Sequence, residues 1–123
     1  MSATDYRSLR VWNESIELAL AAYAVANRLP RSEQFGLASQ LRRSAVSIPS
    51  NIAEGNYRLH PRDYLRCVSI ARGSFAELHT QLELVRRLEY VTPLELERSL
   101  EVADHVGRML TRLVLGLRRR IDS

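Results

Sequence analysis

The chain has 123 residues, 46% of them hydrophobic and 26% charged, which is typical of a single globular domain spanning residues 1–123. The net charge is +4, and all 18 basic residues are arginine. A single cysteine, Cys67, excludes an intramolecular disulfide, and no apolar run is long enough to span a membrane, so we expect a cytoplasmic protein.

The first half of the chain predicts two long helices, because apolar residues recur there at spacings of three and four. The first helix, residues 9–29, has two apolar rows, should contact more than one neighbour, and ends at Pro30. The second helix spans residues 32–57, with Gly55 expected to terminate it. Its main apolar stripe is Leu37, Leu41, Ala45, Ile48 and Ile52.

The second half predicts two more helices with recognisable starts. The third, residues 61–89, begins at Pro61, a residue suited to the first helical position. The fourth begins at "TPLE", where Thr92 is the expected N-cap and Glu95 can complete a capping box. Since the connections are only a few residues long, consecutive helices should be antiparallel, and the expected fold is an all-α, up-down-up-down four-helix bundle.

The stretch "QLRRSAVSIPSNIAEG", residues 40–55, places Pro49 inside the apolar stripe of the second helix. Pro49 lacks a backbone N–H and clashes with the carbonyl of Ala45, so the helix must either break or bend there. A helix restarted after Pro49 would have only about six residues and would be unstable alone. The stripe also keeps its phase from Ala45 to Ile52. We therefore predict a continuous second helix that is kinked at Pro49.

Polar side chains form a second row on each of the two middle helices. Gly73 on the third helix is small enough to predict close packing against a neighbour. Because buried polar groups need partners, the two rows predict a mutually satisfied network, either inside the bundle or between subunits. Its predicted members are Gln40, Ser47, Asn51, Glu54, Glu77 and Gln81.

The same segments resemble a known family. The stretches "FGLASQLRRSAVSIPSNIAEG" (residues 35–55) and "IARGSFAELHTQLELVRRLEY" (residues 70–90) carry the resemblance, and "LRVWNESIELAL" and "MLTRLVLGL" also fit. They are similar to the four-helix bundle family first noticed as proteins encoded in intervening sequences of bacterial 23S ribosomal RNA. The resemblance implies a ring-like homopentamer. The family includes the accessory protein of diversity-generating retroelements, which implies a nucleic-acid-binding partner of a reverse transcriptase.

Catalysis is not predicted, because no motif supports it. The available nucleophiles and bases are Ser47, Ser50, Cys67, His60, His79 and His105. No G-x-S-x-G elbow or comparable context surrounds them. His79 and Glu83 lie one helical turn apart, but a metal site would need a third ligand. We therefore expect no enzymatic activity, no metal and no cofactor.

The arginines carry the functional hypothesis, since several are neighbours in sequence and guanidinium groups match phosphate geometry. The candidate phosphate ligands are Arg42, Arg43, Arg86, Arg87, Arg118, Arg119 and Arg120. The favoured function is a homo-oligomeric, nucleic-acid-associated accessory protein that binds DNA or RNA through phosphate contacts. The alternative is a purely structural or protein-interaction oligomer in which these arginines pair with acids.

Overall fold

The computed structural model describes residues 5–123, which contain four α-helices and no β-strand. The helices are α1 (Arg10–Arg28), α2 (Leu37–Arg58), α3 (Pro61–Arg87) and α4 (Pro93–Asp122). Short 3₁₀ turns at Tyr6–Ser8 and Arg31–Glu33 precede α1 and α2. The prediction of four helices is confirmed, and none of the four is both long and apolar enough to cross a membrane.

The starts of α3 and α4 follow from local sequence. At α3, the ring nitrogen Nδ1 of His60 accepts a hydrogen bond from the backbone N–H of Arg62 at 3.3 Å, and Pro61 occupies the first turn. At α4, the Thr92 hydroxyl accepts from the Glu95 N–H at 3.2 Å, and the Glu95 carboxylate accepts from the Thr92 N–H at 2.8 Å. The predicted capping box is therefore confirmed.

The core lies between the four helices, each of which packs against two others: α1 against α2, α2 against α3, α3 against α4, and α4 against α1. The predicted stripe of α2 is fully confirmed, because all five of its apolar residues are buried. Phe75 on α3 and Leu100 on α4 are only half-buried at the edge of the core. Burial of these stripes supplies the main stabilisation of the bundle.

Helix α2 continues through Pro49 without interruption, so the prediction of an unbroken helix is confirmed and a restart is excluded. Pro49 itself is buried. Two residues later, the Asn51 side-chain amide donates to the Ser47 carbonyl at 2.8 Å, which adds a hydrogen bond to the turn that contains the proline.

The two glycines of the central helices were both interpreted wrongly from sequence. Gly55 does not terminate α2, which extends to Arg58 and ends where Leu59 adopts a left-handed φ of 68°. A Cβ on Gly55 would lie 2.8 Å from the Cβ of Cys67, so this glycine allows α2 to approach α3 closely. Gly73 marks no close contact, since a Cβ there would meet nothing within 4 Å.

Candidate functional site

Arg42 is engaged within the chain. Its guanidinium donates to the Asn27 side-chain carbonyl at 2.9 Å and to the Gln34 side-chain carbonyl at 3.2 Å. The same group lies 5.8 Å from the ring centroid of Tyr23. Arg42 therefore ties α2 to α1 and to the connection between them through one of its two terminal guanidinium nitrogens.

Arg86 and Arg87 are also engaged, because both bind Glu83 on the preceding turn of α3. The Nε of Arg86 donates to Glu83 Oε1 at 3.1 Å, and the Nε of Arg87 donates to Glu83 Oε2 at 2.7 Å. These hydrogen bonds lower the pKa of Glu83 from 4.5 to about 2. We call this trio the Glu83 clamp. Because Arg86 and Arg87 bind both carboxylate oxygens of Glu83, the geometry argues against a metal site formed by His79 and Glu83.

A different set of arginines is available at one end of the bundle. Arg62 and Arg66 on α3 and Arg118 on α4 line an open groove of about 610 Å³, which we call the basic groove. Leu65 and Ile121 contribute its apolar lining, and Ser69 and Asp122 line it as well. Within residues 5–123, no side-chain hydrogen bond or ion pair to a protein partner engages these three guanidinium groups.

The basic groove forms because helical spacing and tertiary packing coincide. Arg62 and Arg66 are four residues apart and so share one face of α3. The last turns of α4 bring Arg118 alongside them. Burial raises the pKa of Tyr64, and the positive charge of Arg120 opposes that shift, as expected for a guanidinium near the start of α3.

Net positive charge is concentrated at this end of the molecule. Residues 54–66 and 118–123 contain six arginines and three acids, so they contribute +3 to the total of +4. The acids are Glu54, Asp63 and Asp122, and only Glu54 forms an ion pair, with Arg58 at 3.8 Å. A phosphate approaching the basic groove would therefore meet a favourable field.

Of the seven arginines predicted from sequence, only Arg118 lines the basic groove. Arg119 and Arg120 are exposed on the same last turns, with Arg119 Nε donating to the Leu115 carbonyl at 3.4 Å. The prediction missed Arg62 and Arg66 because it considered arginines adjacent in sequence. The i,i+4 spacing directly after Pro61 was the signal that could have found them.

The residues of the predicted polar network fall into separate groups. The hydroxyls of Ser47 and Ser74 are 2.7 Å apart, and the Asn51 amide donates to Ser47 Oγ at 3.1 Å. Glu54 lies apart from them and accepts from the Cys67 thiol, with 3.5 Å between Oε2 and Sγ. Burial, together with the hydrogen bond to Glu54, raises the pKa of Cys67.

The other three predicted members meet at a second groove between α2 and α3. This groove has a volume of about 430 Å³, and we call it the polar groove. Its lining residues are Gln40, Arg43, Ser44, Ser47, Ser74, Glu77 and Gln81. Gln40 and Glu77 are exposed, and no side-chain hydrogen bond engages them among residues 5–123. Gln81 is buried, and its Oε1 has no protein partner in that part of the chain.

The remaining candidate catalytic groups are not assembled into a site. His60 caps α3, and His79 lies beside Phe75 with ring centroids 6.1 Å apart. The hydrogen bonds of Ser47 and Cys67 described above do not involve a histidine. No group of three His, Cys, Asp or Glu side chains that could hold a metal ion occurs in the described part of the chain.

Comparison with known proteins gives a family and a fold. A family model described as 23S rRNA-intervening sequence protein matches residues 7–112. Among solved structures, the chain is similar to a protein of unknown function from the S23 ribosomal protein family of Bacteroides thetaiotaomicron, with a TM-score of 0.77 and 26% identity. That similarity covers 85% of this chain and 97% of the other. No curated protein matches the chain.

Proposed function

The chain belongs to the 23S rRNA-intervening sequence protein family, and from this premise we propose that it is a non-enzymatic, cytoplasmic accessory protein that binds nucleic-acid phosphates. The similar solved structure is itself described as a protein of unknown function. The proposal is therefore based on the surface of this chain, and the basic groove is the observation that carries it.

The basic groove suits phosphate for three physical reasons. Arg62, Arg66 and Arg118 have no anionic partner within the described chain, so their donors are available. Guanidinium groups bind phosphate oxygens bidentately. The positive end of the α3 dipole and the negative end of the α4 dipole both lie at this groove and oppose each other, so the guanidinium groups supply the attraction for an anion. Leu65 and Ile121 offer an apolar surface against which a sugar or base can pack.

Helix order and shape are part of the same proposal. We infer an antiparallel, up-down-up-down bundle, because contacts between α2 and α3 run in opposite residue order: Ser47 with Ser74, then Glu54 with Cys67. The short connections between helices favour this order too. A bend of α2 at Pro49 is expected because the proline removes one backbone hydrogen bond.

Assembly would strengthen phosphate binding. A homopentameric ring, as the family resemblance implies, would repeat the basic groove five times around one axis. Several weak contacts on one nucleic-acid strand raise the effective concentration for each further contact. A modest charge per chain would then give substantial affinity that depends strongly on salt. A monomeric mass by light scattering at working concentrations would contradict this part of the proposal.

The second candidate is a structural or protein-interaction oligomer, with a partner such as a reverse transcriptase. The Glu83 clamp and Arg42 favour it, since these arginines bind acceptors of their own chain. In this case the basic groove would contact acidic residues of another protein, and the chain would not bind free nucleic acid.

Nucleic-acid binding separates the two candidates. Fluorescence anisotropy with labelled single-stranded DNA, RNA and duplexes should detect binding that weakens steeply with salt. The triple variant Arg62→Gln/Arg66→Gln/Arg118→Gln should reduce the slope of log affinity against log salt by about 2 to 3. The matched control is Arg10→Gln/Arg31→Gln/Arg72→Gln, which removes the same charge from exposed arginines elsewhere. Equal losses of nucleic-acid affinity in the two triple variants, or no binding near physiological salt, would contradict the proposal.

A further inference from the structure

The polar groove between α2 and α3 contains polar groups whose hydrogen-bonding capacity is not used within the chain. Gln81 is only 8% exposed, and its buried Oε1 has no hydrogen-bond partner among residues 5–123. Native proteins rarely leave buried polar atoms unpaired. We therefore expect the hydrogen-bond partner of Gln81 Oε1 to come from outside the isolated chain.

A cationic donor would match the two acceptors of the groove. Gln81 Oε1 needs a donor, and the exposed Glu77 carboxylate beside it has no ion pair in the described chain. Arg43 lines the same groove but stays beyond ion-pair distance of Glu77. A guanidinium fits these acceptors, since it carries five N–H donors, no acceptor and a positive charge.

We propose that an arginine side chain from a second copy of this chain completes the polar groove, donating to Gln81 Oε1 and to the Glu77 carboxylate. This inference rests on the proposed homo-oligomer and names one of its contacts. Each copy brings exposed arginines that form no ion pair within the described part of the chain, such as Arg108 and Arg112, at the same concentration as the groove itself.

The surroundings of the groove fit a contact between proteins. The serines that line it, Ser44, Ser47 and Ser74, are small and leave room for an entering side chain. Val46 is 43% exposed three residues after Arg43, and Leu84 is 46% exposed three residues after Gln81. Helical spacing therefore brings exposed apolar side chains to both edges of the groove. A second copy would cover these side chains while it satisfies the polar groups between them.

Sedimentation velocity over a range of concentrations tests the proposal. Gln81→Met removes the acceptor at similar volume, and Glu77→Gln removes the charge from an exposed position that cannot disturb the core. Each should weaken assembly by at least about tenfold, because the entering guanidinium would lose a desolvated partner. Glu101→Gln, which removes the charge of another exposed acid on α4, is the matched control and should assemble like the wild type.

Two further measurements distinguish this role from a purely structural one. Thermal unfolding of the dissociated Gln81→Met protomer should be no lower than that of the wild type, because the substitution removes an unpaired buried acceptor. Gln81→Glu should retain or tighten assembly, since a carboxylate pairs more strongly with guanidinium.

A wild-type oligomer that Gln81→Met and Glu77→Gln leave intact would overturn this inference alone. A monomeric wild-type protein would overturn both this inference and the proposed assembly. Phosphate binding at the basic groove would still be tested by anisotropy with the two triple arginine variants.

Discussion

The two ends of α3 each carry two arginines, yet the two pairs are in opposite situations. Arg86 and Arg87 lie at the C-terminal end, where the helix dipole favours cations, and Glu83 binds both. Arg62 and Arg66 lie at the N-terminal end, where the dipole disfavours cations, and neither has an ion pair in the described chain. Glu83 compensates one of the two positive charges of the first pair, whereas both charges of the second pair remain without an acidic partner in the described chain. Placement relative to acids and helix ends, rather than arginine content, therefore indicates which end binds anions.

The basic groove keeps its shape only if α2 packs closely against α3. Substitution of Gly55 tests this packing. Gly55→Ala should lower the free energy of unfolding by about 1 to 3 kcal/mol, because the new methyl would overlap Cys67 and Tyr64 on α3. Gly73→Ala is the control, since a Cβ there meets nothing within 4 Å and alanine favours helix by up to about 1 kcal/mol. Urea denaturation measures both. Equal stability of the two variants would contradict the close contact of α2 with α3.

Removing the clamp acid should make the two ends of α3 more alike. Glu83→Gln would release Arg86 and Arg87, so nucleic-acid affinity should rise and its salt slope should steepen by up to about 2. Glu101→Gln changes the net charge equally without releasing an arginine, and anisotropy should show a smaller gain. If the two variants behave identically, the clamp does not restrain these arginines.

Arg42 and Arg43 are adjacent in sequence, but only Arg42 forms side-chain hydrogen bonds within the described chain. The two arginines should therefore differ in how much they contribute to stability. Arg42→Gln should lower the free energy of unfolding by about 0.5 to 1.5 kcal/mol, because two hydrogen bonds and the contact with Tyr23 are lost. Arg43→Gln should change it by less than about 0.5 kcal/mol, since Arg43 is exposed. Thermal or urea unfolding of the monomeric protein checks both values. A larger loss for Arg43→Gln would reverse the assignment.

The smallest expected effect is the pH response of the clamp. Its hydrogen bonds hold the pKa of Glu83 at about 2, below the ordinary 4.5. Because the folded-state pKa is the lower one, the clamp contributes its full stabilisation above the ordinary pKa and loses it as the pH falls toward 2. A carboxyl-detected NMR titration should show this, and Arg86→Gln/Arg87→Gln should return the pKa toward its ordinary value. Titration of wild-type Glu83 near 4.5 would mean that the clamp is open in solution.

Much of the fold could be predicted because its signals are local. Pro61 and the Thr92 capping box set two helix starts within a few residues of sequence, and the stripe of α2 shows its core side directly. The roles of Gly55 and Gly73 could not be predicted in the same way. Both are glycines within a helical pattern, and only the position of a second helix decides which one needs to be small.

The candidate site was harder to predict, because its parts are distant in sequence. Arg62 and Arg66 carry a readable i,i+4 signal, but more than fifty residues separate them from Arg118. Conversely, the adjacent pair Arg86 and Arg87 looked available until the geometry showed Glu83 binding both. Which arginines share a groove and which have an acid within reach are properties of packing, which the sequence pattern does not encode locally.

Arginine footprinting would identify the arginines that contact nucleic acid. The protein is treated with phenylglyoxal, with and without a short single-stranded oligonucleotide, and modification of each arginine is measured by mass spectrometry. We expect the oligonucleotide to protect Arg62, Arg66 and Arg118 and to leave the modification of Arg86 and Arg87 unchanged. Protection of Arg86 and Arg87 without protection of the basic groove, or no protection of any arginine, would contradict this expectation.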